Sequence, residues 1–387
     1  MQETWKAFRD FFVSLKLTVV LMALSIVLVF WATLAQVQLG IWGVQEKFFR
    51  TFFVLERIPG TDIPVPVFPG GYFIGGLLLI NLIVAHVSRF QLSWRKSGLF
   101  LTHLGLIVLL LGELFTGLWQ EEYQMRLDEG ETKNYSESYR FNELAIIDTT
   151  HPDHDDVVVV PEQLLARGTE VQHPKLPFRV IPRAYYPNAA LQMREEGQPA
   201  NAPVPVNRDI GTRLRTIPLP LTYKPNERNL PTAFVELAGP EGSLGIWQVS
   251  PQLLQPQVFE YAGRQWRIAL RFERHYKPYA LTLLKFSHDR YAGTDIPKNF
   301  SSRVRLTTPN GTDDREVLIY MNNPLRYAGL TFYQAGFDNN DRTTILQIVR
   351  NPSWTLPYIA CALMSAGLLV HFCIALGGFI RKRRAAN

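Results

Sequence analysis

Cysteine is nearly absent from this 387-residue chain: only Cys361 and Cys373 occur, both inside one apolar run. Twelve helical residues put them roughly 18 Å apart, far beyond disulfide reach. There is no CxxC redox pair and no CxxCH cofactor-attachment motif, so the chain is not itself the attacked thiol of a redox cycle. Charge is scarce too, at 19%, against about a quarter in soluble domains. Four windows lack charge almost entirely, which excludes a purely soluble enzyme. The long polar stretch between the third and fourth windows excludes a compact many-span transporter. Long disorder is excluded by the 12% aromatic content and the many β-branched residues. No internal repeat is evident.

The four windows are Leu17 to Ala35, Gly70 to Ser88, Ser97 to Trp119 and Leu356 to Ile380. Each approaches or exceeds the roughly 20 residues that cross a bilayer. The first run is longer than the roughly 7–15 apolar residues of a signal peptide, and no small-x-small site follows at Gln36-Val37-Gln38, so it reads as an anchor. Short flanks then set orientation. Lys6, Arg9, Lys16, Arg89, Arg95, Lys96 and Arg381 to Arg384 fall on one side, with only Glu3 and Asp10 as acids. The overall net charge of +6 is therefore a topology signal and not a nucleic-acid footprint. Both termini are expected in the cytoplasm and 120–355 outside. Trp31, Trp42, Trp94, Trp119 and Trp354 sit near span ends, as interfacial belts do.

These boundaries divide the chain into 1–39 (tail and first span), 40–69, a span hairpin at 70–119, an outer domain at 120–355, and 356–387 (last span and basic tail). In 40–69, Phe48, Phe49, Phe52, Phe53 and Leu55 alternate with Lys47, Arg50 and Glu56 at helical spacing, which predicts a helix lying in the interface until Pro59. The outer domain reads as strands: 143–147, 157–160, 178–181, 266–270, 280–286, 302–306, 317–320 and 343–349. Turn signals such as Pro309-Asn310-Gly311 and Gly239-Pro240-Glu241-Gly242 separate them. An antiparallel sandwich or open barrel is expected, with 185–232 as a Pro-rich excursion or flap. The fold class is thus a multi-span α-helical membrane protein, with four transmembrane helices and a large, mainly antiparallel β extracytoplasmic domain.

Three of the eight histidines lie inside the spans: His86, His103 and His371. Counted from Arg89, Lys96 and Arg381, they sit at depths of roughly 5, 10 and 15 Å. All three fall in the inner half of the bilayer, although they belong to different spans. Ionisable residues inside a membrane are costly and point to function, and a neutral imidazole is a good metal ligand. Opposed to this stands the plain reading, in which each histidine hydrogen-bonds a neighbouring helix or snorkels. Glu113 near the outer end of the third span reads as an interfacial carboxylate. Gly71 and Gly75 form a GxxxG pair that permits close helix approach. His275 and His288, near Arg271, Arg274 and Lys277, read as a solvated basic face or as a docking surface for acidic groups. The stretch 151–156, His-Pro-Asp-His-Asp-Asp, reads as a polar turn before it reads as a metal site.

Several stretches together resemble the ResB (CcsB) family of cytochrome c biogenesis proteins. They are 14–18 (Ser-Leu-Lys-Leu-Thr), 32–36 (Ala-Thr-Leu-Ala-Gln), 68–72 (Phe-Pro-Gly-Gly-Tyr), 79–86 with Arg89-Phe90, 102–106 (Thr-His-Leu-Gly-Leu), 288–302 and 321–334. The layout of three spans, an outer domain and a last span is similar as well. The resemblance implies a cytoplasmic (inner) membrane protein that works with a ResC (CcsA)-type integral membrane partner in system II. Together they would export haem and attach it to CxxCH apocytochrome c, as components of a haem lyase (synthase) rather than as an enzyme in one chain. It further implies that one span histidine ligates a transient b-type haem shared with the partner. The matching stretch favours His103, then His86, then His371. Membrane lipid is the remaining expected partner, and no other metal is expected. Three other readings remain: a scaffold that binds no haem, stabilises the partner and docks apocytochrome; a sensor, which lacks a cytoplasmic signalling module; and a thiol oxidoreductase, which lacks its CxxC.

Overall fold

The four apolar windows form helices. The computed structural model describes residues 6 and 9–386, apart from 59, 62, 90–92, 196–201, 223–227, 292, 294–296 and 339–341. Expectations resting on Glu3, Pro59, Phe90 and the stretch around 294–296 lie outside the described residues. Four helices are long and apolar enough to cross a membrane. They are α1 (Leu15–Val44), α2 (Gly71–Arg89), α3 (Ser97–Trp119) and, after the β region, α5 (Leu356–Ala386). The chain divides into a helical unit and a β unit.

Within the helical unit, α1 kinks at Gly40, whose φ of 65° is open to glycine without strain. A π-turn follows at Gln45–Phe49 and then the helical course stops. The interfacial helix expected to Pro59 is therefore a short turn, followed by a hairpin of β1 (Phe53–Arg57) and β2 (Pro64–Pro69). The physical reason is the side-chain alternation: Val54 is fully buried while Phe53 and Leu55 are exposed. Phe48 is fully buried too, its ring 5.1 Å from Trp31 and part of a core with Ile74 and Leu28. Gly71 of the expected GxxxG pair meets the π-turn, since a Cβ there would lie 2.5 Å from Phe49 O, whereas Gly75 has open space around it. Asn81 of α2 is buried and accepts from Thr18 Oγ1 at 2.8 Å. Its amide donates to the carbonyls of Phe12 and Ser14, so a polar group in an apolar helix is satisfied at the start of α1.

The closest helix packing is antiparallel, between α3 and α5. Gly98, Gly105 and Gly112 recur every seven residues and so share one face. Opposite them come Gly367, Ala360 and Ser353, again seven apart. A Cβ at Gly98 would lie 2.5 Å from His371 N and 2.6 Å from Gly367 O. One at Gly105 would lie 2.6 Å from Met364 Cγ and 2.9 Å from Ala360 O. Small residues let the two backbones approach this closely, which supplies van der Waals contact along the seam. One end of the seam is polar, with Thr116 Oγ1 3.0 Å from Ser353 Oγ and accepting from Asn351 Nδ2 at 3.1 Å.

The β unit holds β3 (Glu121–Asp128), β4 (Thr132–Asp148), β5 (Asp156–Pro161), the short α4 (Glu162–Ala166), β6 (Arg179–Tyr186), β7 (Ala189–Met193), β8 (Leu214–Pro218), β9 (Thr232–Gly239), β10 (Gly242–Val249), β11 (Gln257–Tyr261), β12 (Arg264–Arg290), β13 (Pro297–Thr307), β14 (Asp314–Tyr320), β15 (Leu325–Tyr327), β16 (Leu330–Asp338) and β17 (Thr343–Arg350). A ten-stranded sheet runs β14-β13-β12-β4-β3-β17-β16-β15, with β11 beside β12 and β5 beside β4. A three-stranded sheet, β10-β9-β6, faces part of it. All registered pairings are antiparallel.

Two cores result. Leu144, Ile146, Val235, Leu237, Trp247, Trp266, Ile268 and Leu270 fill the sandwich between the two sheets. Leu127, Leu281, Leu283, Val304, Leu306, Phe332, Leu346 and Ile348 fill the curled remainder of the large sheet. The runs expected at 266–270 and 280–286 are one strand, β12. It continues because register shifts at Phe272/Arg274 and Tyr276/Leu281 absorb a change of phase. The excursion expected at 185–232 contains an ordered hairpin, β7 with β8. α4 is fastened by Glu162, which accepts from Asn142 N at 2.8 Å, from Asn142 Nδ2 at 3.0 Å and from the Tyr185 hydroxyl. Burial, followed by that bond, pushes the Tyr185 phenol well above its ordinary value.

Candidate functional site

Two of the three span histidines come together. His86 on α2 and His103 on α3 have ring centroids 6.4 Å apart, with planes 30° from parallel. The His86 ring also stacks on Phe100 at 4.5 Å. Both histidines are half-buried. His103 Nδ1 lies 2.8 Å from Leu99 O, one turn back on its own helix. A carbonyl only accepts, so this contact requires Nδ1–H to donate. The Nε2 lone pair is thereby left free, which is the tautomer a metal ligand needs.

His371 does not join this pair. Its backbone rests on Gly98, its side chain is exposed, and it makes no ring contact, hydrogen bond or ion pair among the described residues. Gly98 precedes His103 by five residues, so the two point roughly 140° apart around α3. Glu113 is exposed on α3, and Cys361 and Cys373 are exposed on α5.

The donor set decides what the histidine pair can hold. Among the described residues no three His, Cys, Asp or Glu side chains cluster for a metal. Tetrahedral zinc, which takes three or four protein ligands, therefore has no site there. One or two imidazoles in an apolar setting fit an iron whose other ligands come from a macrocycle. The turn at 151–156 holds the His151 and His154 rings 4.8 Å apart, but Asp156 is taken by Lys175 at 3.0 Å.

The basic residues of the β unit are internally paired for the most part. Arg271 Nε donates to Glu143 Oε1 at 2.9 Å, and Arg274 Nε to Glu137 Oε1 at 3.2 Å. The Arg274 guanidinium also lies 4.1 Å from the Tyr135 ring. The His275 ring packs on Tyr123 at 4.1 Å, and the His288 ring on Phe337 at 4.3 Å. These contacts were not readable from sequence, because every partner comes from another strand.

Lys277 Nζ donates to Ser136 Oγ at 2.6 Å and to His275 O at 3.1 Å. Burial pushes its ammonium down to about 8 from the ordinary 10.5. The unfolded chain then holds more protons than the folded chain between those values, so stability rises with pH across that window. At pH 7 both states are protonated and the cost of burial is fully present. Lys277→Met is expected to flatten the rise, as read from urea midpoints of the full chain at pH 7.5 and 10. An unchanged slope would show that Lys277 is not the titrating group.

Four helices long and apolar enough to cross a membrane, joined to a mainly antiparallel β unit, suggest a membrane-associated protein. Residues 258–345, from β11 to β17, match the model of the ResB-like family. The chain is similar to Protein NrfI of Wolinella succinogenes, at 36% identity over 92 residues. That stretch is 24% of this chain and 10% of the relative's length. The similarity to the ResB-like family thus rests on residues 258–345 of the β unit.

Proposed function

We propose that this protein is a haem-handling subunit in cytochrome c biogenesis, acting with a ResC (CcsA)-type membrane partner in system II. The match of 258–345 to the ResB-like family and the similarity to Protein NrfI support the role in cytochrome c biogenesis. The observation that carries the haem reading is the pair of facing imidazoles, with the His103 tautomer set by Leu99 O at 2.8 Å. In this reading His103 Nε2 would ligate the haem iron. His86, stacked on Phe100, would serve as a second ligand or leave that role to a histidine of the partner. The apolar flanks of α2 and α3 exclude water from the bound face. When bound, haem itself supplies the vinyl groups that react with the thiols of apocytochrome c. The protein's contribution is to orient the cargo. The basic flanks lie in the cytoplasm, the β unit lies outside the inner membrane, and the histidine pair is in the inner leaflet.

The test is to co-express the chain with its partner, purify it in detergent and record visible spectra. His103→Ala is expected to lose or shift the Soret band, His86→Ala to shift it, and His371→Ala to leave it unchanged. Added imidazole should restore the band to His103→Ala. A complex whose haem spectrum ignores both His86→Ala and His103→Ala overturns the ligand assignment and leaves a scaffold that docks apocytochrome.

A further inference from the structure

We propose that the β unit carries a binding site for a carboxylate on an apolar body, on the outer face of the large sheet. The site is independent of the histidine pair. Along β12, Trp266, Ile268 and Leu270 point into the sandwich core, so Arg267, Ala269 and Arg271 point the other way. That outer face is not flat. The loop 251–256 between β10 and β11 rises beside it and borders a half-open cleft of about 780 Å³. The volume lies within the roughly 300–1,000 Å³ of small-molecule sites.

The walls are apolar and the floor is cationic. Ile147 of β4 and Val157 of β5 form one wall, and Leu253 and Leu254 the other. Leu254 is 97% exposed, an apolar side chain held out at the loop with nothing of its own chain over it. Three arginines line the cavity, and they are not equivalent. Arg274 is used up by Glu137 and Tyr135. Arg271 spends Nε on Glu143, yet its Nη2 is buried with no hydrogen-bond partner. Arg267 has no ion pair or side-chain hydrogen bond among the described residues and faces the opening. Of the acids lining the cavity, Glu137 is engaged and Asp155 alone is unpaired among the described residues. Vacant guanidinium N–H groups thus exceed vacant carboxylates.

A buried donor without a partner is costly, and a ligand that supplies an acceptor there recovers that cost. The planar fork of arginine matches a carboxylate. The apolar walls reject inorganic anions in favour of a molecule that buries hydrocarbon. A fatty acid and a tetrapyrrole bearing propionates share this chemistry, and titration tells them apart.

The experiment uses the full chain in lipid nanodiscs, with heats from empty discs subtracted. Dodecanoate and metal-free protoporphyrin are titrated separately, and dodecan-1-ol serves as the probe lacking a carboxylate. Saturable heat from at least one acid, and none from the alcohol, is expected. Arg267→Gln is exposed and unpaired, so it leaves the fold intact; it should weaken binding about tenfold, the worth of one charge-assisted hydrogen bond. Leu254→Asp should abolish binding, while Arg303→Gln on β13 should not change it. Response to only one acid names the source. Heat no larger than from empty discs, or wild-type affinity in both Arg267→Gln and Leu254→Asp, overturns the site.

Discussion

Glu143→Ala is expected to lower the stability of the β unit by about 3–5 kcal/mol. The Glu143 side chain is 7% exposed and its partner Arg271 13%, directly opposite each other on β4 and β12. Removing the carboxylate leaves a guanidinium with no counter-charge and little water. In water the pair would contribute almost nothing; here the penalty comes from the charge left behind. Replacing both partners removes the penalty with the pair, so Glu143→Leu combined with Arg271→Met should lie near the wild type or above it. For a domain of this size the single substitution corresponds to a fall of about 10 °C in melting temperature. Far-UV circular dichroism of the full chain in detergent reads it. Equal melting temperatures for the single and double variants would show that the pair is not buried as a unit.

Gly105→Leu is expected to force α3 and α5 apart. The first carbon of any side chain there would lie 2.6 Å from Met364 Cγ, and Met364 can move. The same carbon would lie 2.9 Å from Ala360 O, and a helix carbonyl cannot move without moving the helix. Overpacking of this kind costs about 1–3 kcal/mol where side chains can adapt, and more where backbone is struck. A cross-link two turns along the seam provides the readout. A Cβ at Gly112 would lie 3.0 Å from Leu356 Cβ, so a shift of about 0.5 Å brings Gly112→Cys and Leu356→Cys into disulfide range, and the pair should oxidise once Cys361 and Cys373 are replaced by Ser. Adding Gly105→Leu should cut the disulfide yield several-fold on a non-reducing gel. Adding Gly75→Leu, where nothing lies within 4 Å, should not. Equal yields would show that the helices meet elsewhere.

The four long apolar helices were legible because a window of twenty almost charge-free residues has few alternatives. The α3–α5 seam was not. Its glycines recur at a spacing of seven on α3, and their counterparts stand some 250 residues later on α5. The GxxxG pair at Gly71 and Gly75 was the more visible signal, yet only Gly71 is packed. His86, His103 and His371 stood out in the sequence because each is a polar residue in an apolar run. Which of them face each other depends on rotation about each helix, and that is set by the seam, which turns Gly98 toward α5 and His103 away from it. In the β unit, short apolar runs marked most core strands. Prolines and bulges hid the rest, because a bulge breaks the alternation by which a strand is recognised.

That broken alternation governs how the two cores are bound to each other. Even-numbered residues of β12, from Trp266 to Leu270, serve the sandwich, whereas odd-numbered Tyr279, Leu281 and Leu283 serve the curled sheet. One chain segment is thus a beam common to both, and the bulges are the joints that rotate it. A deletion of one residue between those joints would turn a whole stretch of side chains inside out. Neither core can be excised as a self-sufficient fragment, and heat should melt them in a single cooperative event.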